Sequence, residues 1–117
     1  MKSILKEKSY AFAISVVKVC QALQREQREY VLSRQLLRSG TAIGALVREA
    51  EFAQSRADFV NKMSVALKEA NETSYWLLLL VDTGSLPNNL NCSDLQSLCK
   101  ELISMLVASV KKAKGGP

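Results

Sequence analysis

Residues 39–44 read SGTAIG, inside the longer stretch QLLRSGTAIGALVREA at 35–50, which otherwise has the periodicity of an amphipathic helix. A glycine in a helix interior costs about 1 kcal/mol relative to alanine, so Gly40 and Gly44 need a reason. On a helical wheel Leu36, Gly40, Ile43, Val47 and Ala50 form one stripe, with Gly44 at its edge beside Leu37. Residues without side chains let two helix backbones approach closely. The stretch therefore predicts a helix packed tightly against another at Gly40 and Gly44, with a large residue such as Phe12 or Leu67 filling the space. A kink or a point of ligand approach is the other reading.

Working outward, the punctuation predicts four helices, at about 3–28, 33–53, 56–82 and 94–112. Ser33 reads as the N-cap of the second, with Leu32 placed to staple against Leu37. Ser55 with Asp58 reads as a capping box, and Gly84 as the residue that ends the third helix. The segment SLPNNLNC at 85–92 is a turn-rich loop, and Ser93 with Gln96 caps the fourth helix. Lys111 and Lys112 suit the negative end of that helix. Short connections make neighbours antiparallel. The expected fold is all-α: one domain over 1–114, an up-down-up-down four-helix bundle, with 115–117 as a disordered tail.

Two helices carry more apolar surface than one core can hide. The third has Phe59, Met63, Ala66, Leu67, Ala70, Ser74, Leu77 and Val81 on one stripe, with Val65, Trp76 and Leu79 opposite. The first has Leu5, Phe12, Val16, Val19 and Leu23 on one face, with Tyr10, Ile14 and Val17 across from them. Another copy of the chain would cover the second faces, which makes Tyr10, Ile14, Val17, Val65, Trp76 and Leu79 the candidate oligomer interface. A partly exposed lone tryptophan is the bland alternative.

Composition excludes most chemistry. The 117 residues contain no histidine, the commonest acid–base group and metal ligand. No Ser-His-Asp set, Cys-His set or Glu-x-x-His pair exists. Glu69 and Glu72 are three apart, so carboxylate-only metal ligation is conceivable, against the simpler reading of a solvated helix surface. Glu51 projects near the Gly40 stripe, with Arg48 three residues back as its expected partner. No enzyme activity, cofactor or metal is expected. Cys20, Cys92 and Cys99 form no CxxC and read as reduced thiols of a cytoplasmic protein. The most apolar run, WLLLLV at 76–81, is too short to span a membrane.

The net charge of +5 leaves an acidic partner open. Arg25, Arg28, Arg34, Arg38 and Arg48 dominate the corner between the first two helices and the length of the second. Arg34, Arg38 and Arg48 share one face of the wheel. A like-charged pair at i,i+4, such as Arg34 and Arg38, is mildly destabilising unless an anion sits nearby. Lys111, Lys112 and Lys114 form a second cluster. A solvated surface and a set of phosphate contacts both fit these residues. No exposed aromatics for base stacking are expected, so binding would be led by the nucleic-acid backbone.

The pieces QLLRSGTAIGALVREA, AQSRADF, ALKEANET and YWLLLL, between Gln35 and Leu80, resemble the family of four-helix bundle proteins encoded in intervening sequences of bacterial 23S ribosomal RNA genes. Related bundles are the accessory variability determinants of diversity-generating retroelements. At Leu46 this chain departs from the Asn that the family commonly carries. The resemblance implies a bundle that assembles as a ring, often a pentamer, with a basic surface, binding RNA or a reverse transcriptase, and without an active site. The expected function is thus a non-catalytic oligomer that binds RNA, DNA or a nucleoprotein partner through its basic patches. A structural or protein-recruiting module is the alternative.

Overall fold

The computed structural model describes residues 3–86 and 92–115, with Cys92 in backbone only. Four helices follow in order: α1 (Ile4–Gln27), α2 (Val31–Glu51), α3 (Arg56–Asp82) and α4 (Cys92–Ala113). Each packs against its chain neighbours, and α1 closes on α4, while no contact crosses either diagonal among the described residues. That pattern is an antiparallel four-helix bundle, 45 × 24 × 23 Å. The long axis matches α3, whose 27 residues rise about 40 Å.

Local chemistry explains most of the boundaries. Ser3 caps α1 by accepting from the Lys6 N–H at 3.1 Å. Ser55 accepts from the Asp58 N–H at 3.0 Å, and the Asp58 carboxylate answers by accepting from the Gln54 N–H at 3.1 Å. α3 ends in a Schellman arrangement. Gly84 takes φ +67, its N–H donates to Val81, and the Ser85 N–H donates to Leu80.

Three boundaries differ from the sequence reading. α2 starts at Val31, so Ser33 lies inside the helix, and Leu32 is no longer placed to act as a staple before it. Tyr30 occupies the N-cap position without a side-chain bond. The cap comes instead from Glu29, whose carboxylate accepts from the N–H groups of Val31, Leu32 and Ser33 at 3.2, 2.9 and 2.7 Å. α4 already includes Cys92, so Ser93 lies inside the helix. Of the predicted loop, 87–91 lie outside the described residues. Gly115 forms a turn at φ +81, its N–H donating to Lys112, so it is not part of an unstructured tail. Residues 116 and 117 lie outside the described residues.

The core runs the length of the bundle through Phe12, Val16, Leu23, Leu36, Ile43, Leu77, Leu80, Leu102 and Leu106. On α3 the buried stripe is Met63, Ala66, Ala70, Thr73, Leu77 and Leu80. Thr73 and Leu80 replace the expected Ser74 and Val81. Successive helical residues point about 100° apart, so only one of Leu80 and Val81 can face inward at the last turn. Leu80 does, and Val81 is exposed. The buried Thr73 and Ser39 hydroxyls share a hydrogen bond of 2.9 Å across the α2–α3 seam. No buried side-chain nitrogen or oxygen among the described residues lacks a partner. Burial, with a smaller contribution from the Glu29 charge, raises the Cys20 thiol to about 12, and burial raises Cys99 to about 11. Both are inert small apolar groups at neutral pH.

The two glycines meet α1, through residues other than Phe12 or Leu67. A Cβ on Gly40 would lie 2.9 Å from Cγ1 and 3.0 Å from Cγ2 of Val16. A Cβ on Gly44 would lie 3.4 Å from the carbonyl oxygen and hydroxyl of Ser9, an ordinary contact. The phenylalanine is buried one turn from Val16, and the valine is the knob that needs the missing side chain. The half-ångström difference decides the sign at Gly44. Gly44→Ala is expected to raise stability by about 0.5–1 kcal/mol through helix propensity and a less flexible unfolded chain. Urea denaturation checks this: a midpoint below wild type would show that the methyl strains the Ser9 backbone.

Candidate nucleic-acid interface

Seven of the eight candidate cations lie at the two ends of the bundle, and Arg38 lies between them. Arg25 and Arg28 end α1 and Arg34 opens α2, so these three sit at one end. Arg48 near the end of α2 and Lys111, Lys112 and Lys114 at the end of α4 sit at the other. Arg34 and Arg48 are separated by about 21 Å of helix rise. All seven are exposed. No carboxylate forms an ion pair with any of them among the described residues, whereas Lys6, Lys8, Arg38 and Lys62 are paired with Glu51, Glu101, the Glu69–Glu72 pair and Glu49.

Arg38 therefore does not belong to a continuous basic face. Its guanidinium binds both oxygens of Glu69 at 3.2 Å and also Glu72, which in turn accepts from the Trp76 indole N–H at 3.0 Å. The Trp76 and Arg38 hydrogen bonds hold the Glu72 carboxyl below its ordinary range despite some desolvation. The anion that relieves the Arg34–Arg38 repulsion is thus internal. This is also what Glu69 and Glu72 do; no cluster able to hold a metal ion occurs among the described residues. Glu51 is exposed and pairs with Lys6 at 3.1 Å, not with Arg48. Arg48 instead lies over the Tyr10 ring, 5.2 Å from its centroid, and Arg34 over Tyr30 at 6.0 Å. Such stacking is worth about 0.5–1 kcal/mol at exposed sites and keeps the charge available.

Aromatic rings are exposed, contrary to the sequence reading. Tyr10, Tyr30, Phe52 and Tyr75 all reach solvent, Phe52 at 83%. Periodicity could not show this for Phe52 and Tyr30, which lie just outside helix ends. Of the six residues assigned to an oligomer interface, Tyr10 and Ile14 are exposed. Val17, Val65 and Leu79 are half-buried, and Trp76 packs against the core edge. On α3 the exposed apolar residues are Tyr75, Leu78 and Val81. A shallow groove of about 250 Å³ between α1 and α2 is lined by Tyr10, Ala13, Thr41, Gly44, Ala45 and Arg48, together with Lys6. A second groove, of about 500 Å³, lies between the start of α3 and the end of α4, lined by Arg56, Phe59, Ser109, Lys112 and Ala113. No helix among the described residues is long and apolar enough to cross a membrane.

The architecture defines an antiparallel four-helix bundle with unpaired cations at both ends. The chain belongs to the 23S rRNA-intervening sequence protein family, whose sequence pattern matches residues 1–108. It is similar to a solved protein of unknown function from the S23 ribosomal protein family of Bacteroides thetaiotaomicron. The two share 47% identity over 92% of this chain and 99% of that one, with a TM-score of 0.88. No curated protein matches the chain.

Proposed function

We propose that the protein is a non-catalytic homo-oligomer that binds RNA, or a nucleoprotein partner such as a reverse transcriptase, through the cations at the two ends of each bundle. One observation carries the reading: seven exposed cations cluster at the two ends of the bundle, and none of them has a carboxylate partner among the described residues. Self-association is supported by Tyr10 and Ile14 on α1 and by Tyr75, Leu78 and Val81 on α3, apolar groups left in solvent on a single bundle. Repetition in a ring would multiply weak phosphate contacts into useful avidity. The same apolar groups favour a second reading, a protein-recruiting module in which charge only maintains solubility.

Filter binding to a structured RNA with an unpaired loop separates the two. Three or four phosphate contacts give a salt slope near −2 to −3, so affinity should fall on the order of 20- to 50-fold between about 50 and 200 mM salt. Arg25→Glu with Arg34→Glu should weaken binding, whereas Arg38→Gln should leave it unchanged because that charge is already consumed. Affinity indifferent to salt, or loss through Arg38 alone, would sink the nucleic-acid reading. The same preparation, sedimented at micromolar concentration, should give a multiple of the 12.9 kDa chain mass; a lone folded subunit removes the oligomer.

A further inference from the structure

The α3–α4 groove combines features found at no other point described on the bundle. Arg56 reaches across it and donates from Nη1 to the Ala113 carbonyl at 3.4 Å, which tethers one arm of the guanidinium to the end of α4. A guanidinium carries five N–H donors, so most of the fork stays available. Lys112 lines the opposite wall, and no carboxylate forms an ion pair with either cation among the described residues. Asp58, two residues beyond Arg56, is committed to the Gln54 N–H. Phe59 supplies an apolar wall whose ring is held against the core, and Ser109 adds a hydroxyl. The volume of about 500 Å³ lies within the range of small-ligand sites, ~300–1,000 Å³.

We infer that this groove binds a nucleotide bearing a terminal phosphate monoester, with Arg56 and Lys112 on the phosphate and Phe59 against the base or sugar. The inference rests on the nucleic-acid reading above and narrows it to one site and one chemical group. The physical basis is charge matching. A phosphate monoester carries about −1.5 to −2 charges at neutral pH, whereas each internal phosphodiester carries one. Two cations without a carboxylate partner among the described residues therefore favour a strand end, or a free nucleoside monophosphate, over the middle of a strand. The groove opens to solvent, which leaves a bound terminal nucleotide room to continue into a chain.

The test uses uridylate hexamers ending in a 5′-phosphate, in a 3′-phosphate, or in hydroxyls at both ends, bound to the full chain at one fixed salt concentration. At least one phosphate-ended hexamer should bind tenfold or more tighter than the hydroxyl-ended one. Arg56→Gln with Lys112→Gln should bring that ratio close to one, while Arg25→Gln with Arg34→Gln at the far end should preserve it. Circular dichroism confirms that each variant is folded. Uridine 5′-monophosphate should displace the phosphate-ended hexamer, and uridine should not. Displacement at similar concentration assigns the groove to free nucleotides; displacement needing tenfold more assigns it to strand ends. A ratio of one in the wild type, or a ratio untouched by the groove variant, overturns the inference. If all three hexamers then bind equally, and a repeat at fourfold higher salt weakens all three alike, the broader nucleic-acid reading survives without it; if none binds, both fall.

Discussion

Gly40→Leu is expected to remove at least about 3 kcal/mol of folding stability, a large part of the ~5–15 kcal/mol that holds a domain together. The position has no room. Even the first carbon of a side chain would stand 2.9 Å from Val16 Cγ1, and both Gly40 and Val16 are buried. Val16 cannot swing aside, because a β-branched residue in a helix has one strongly preferred rotamer. Alanine is the finer probe. Gly40→Ala gains about 1 kcal/mol in helix propensity and, with two Val16 methyls within 3.0 Å of the added carbon, loses towards the upper end of the ~1–3 kcal/mol of overpacking, so the net change is a loss. Val16→Ala creates a cavity on its own but vacates the space that the added methyl on α2 needs. The double variant should then be more stable than the sum of the singles by about 1 kcal/mol or more. Urea denaturation of the four proteins reads this directly. A leucine variant as stable as wild type, or strict additivity in the alanine cycle, would mean that Val16 does not hold α1 against α2.

Helix existence and antiparallel order were legible because each depends on residues close in the chain. The Ser55–Asp58 exchange closes within five residues, and the Gly84 turn needs only a positive φ at one position. Side-chain partners were less legible, because they lie on other helices. Arg38 is 31 and 34 residues from Glu69 and Glu72, and Glu51 is 45 residues from Lys6. A wheel drawn on α2 alone shows Arg34, Arg38 and Arg48 as one basic face; it cannot show that α3 neutralises the middle member. The same blindness exchanged Phe12 for Val16 opposite Gly40, since both belong to the buried face of α1. The Arg56–Lys112 groove was missed for a related reason. Its walls come from the start of α3 and the end of α4, and the only sequence signal was the lysine cluster at one wall.

Glu29→Ala is expected to cost about 2–3 kcal/mol, more than an ordinary N-cap loss of ~0.5–2. Tyr30 offers no side chain to the start of α2, so Glu29 alone serves three backbone N–H groups. One of them belongs to Ser33, which is fully buried. Ser33 is also held from three other directions: its hydroxyl donates to the Glu29 carbonyl at 2.7 Å and accepts from Gln24, and its carbonyl accepts from the Cys20 thiol. Losing the carboxylate strands a donor at the centre of that network, and an unmet buried donor costs more than an exposed one. The charge matters as well as the shape. Desolvation pushes the Glu29 carboxyl up, but the bonds from Leu32, Ser33 and Val31 together outweigh it and hold it below the ordinary carboxylate range. A carboxyl depressed in the folded state contributes stability that is present in full above its unfolded value, about 4.3. That contribution is lost as the pH falls through the folded value. The stability gap between wild type and Glu29→Gln should therefore be constant from neutrality down to about pH 5–6 and narrow at lower pH. Thermal unfolding of the two proteins across that range checks it. A gap that stays fixed into strong acid, or that widens there, would show that α2 is not held by the Glu29 charge.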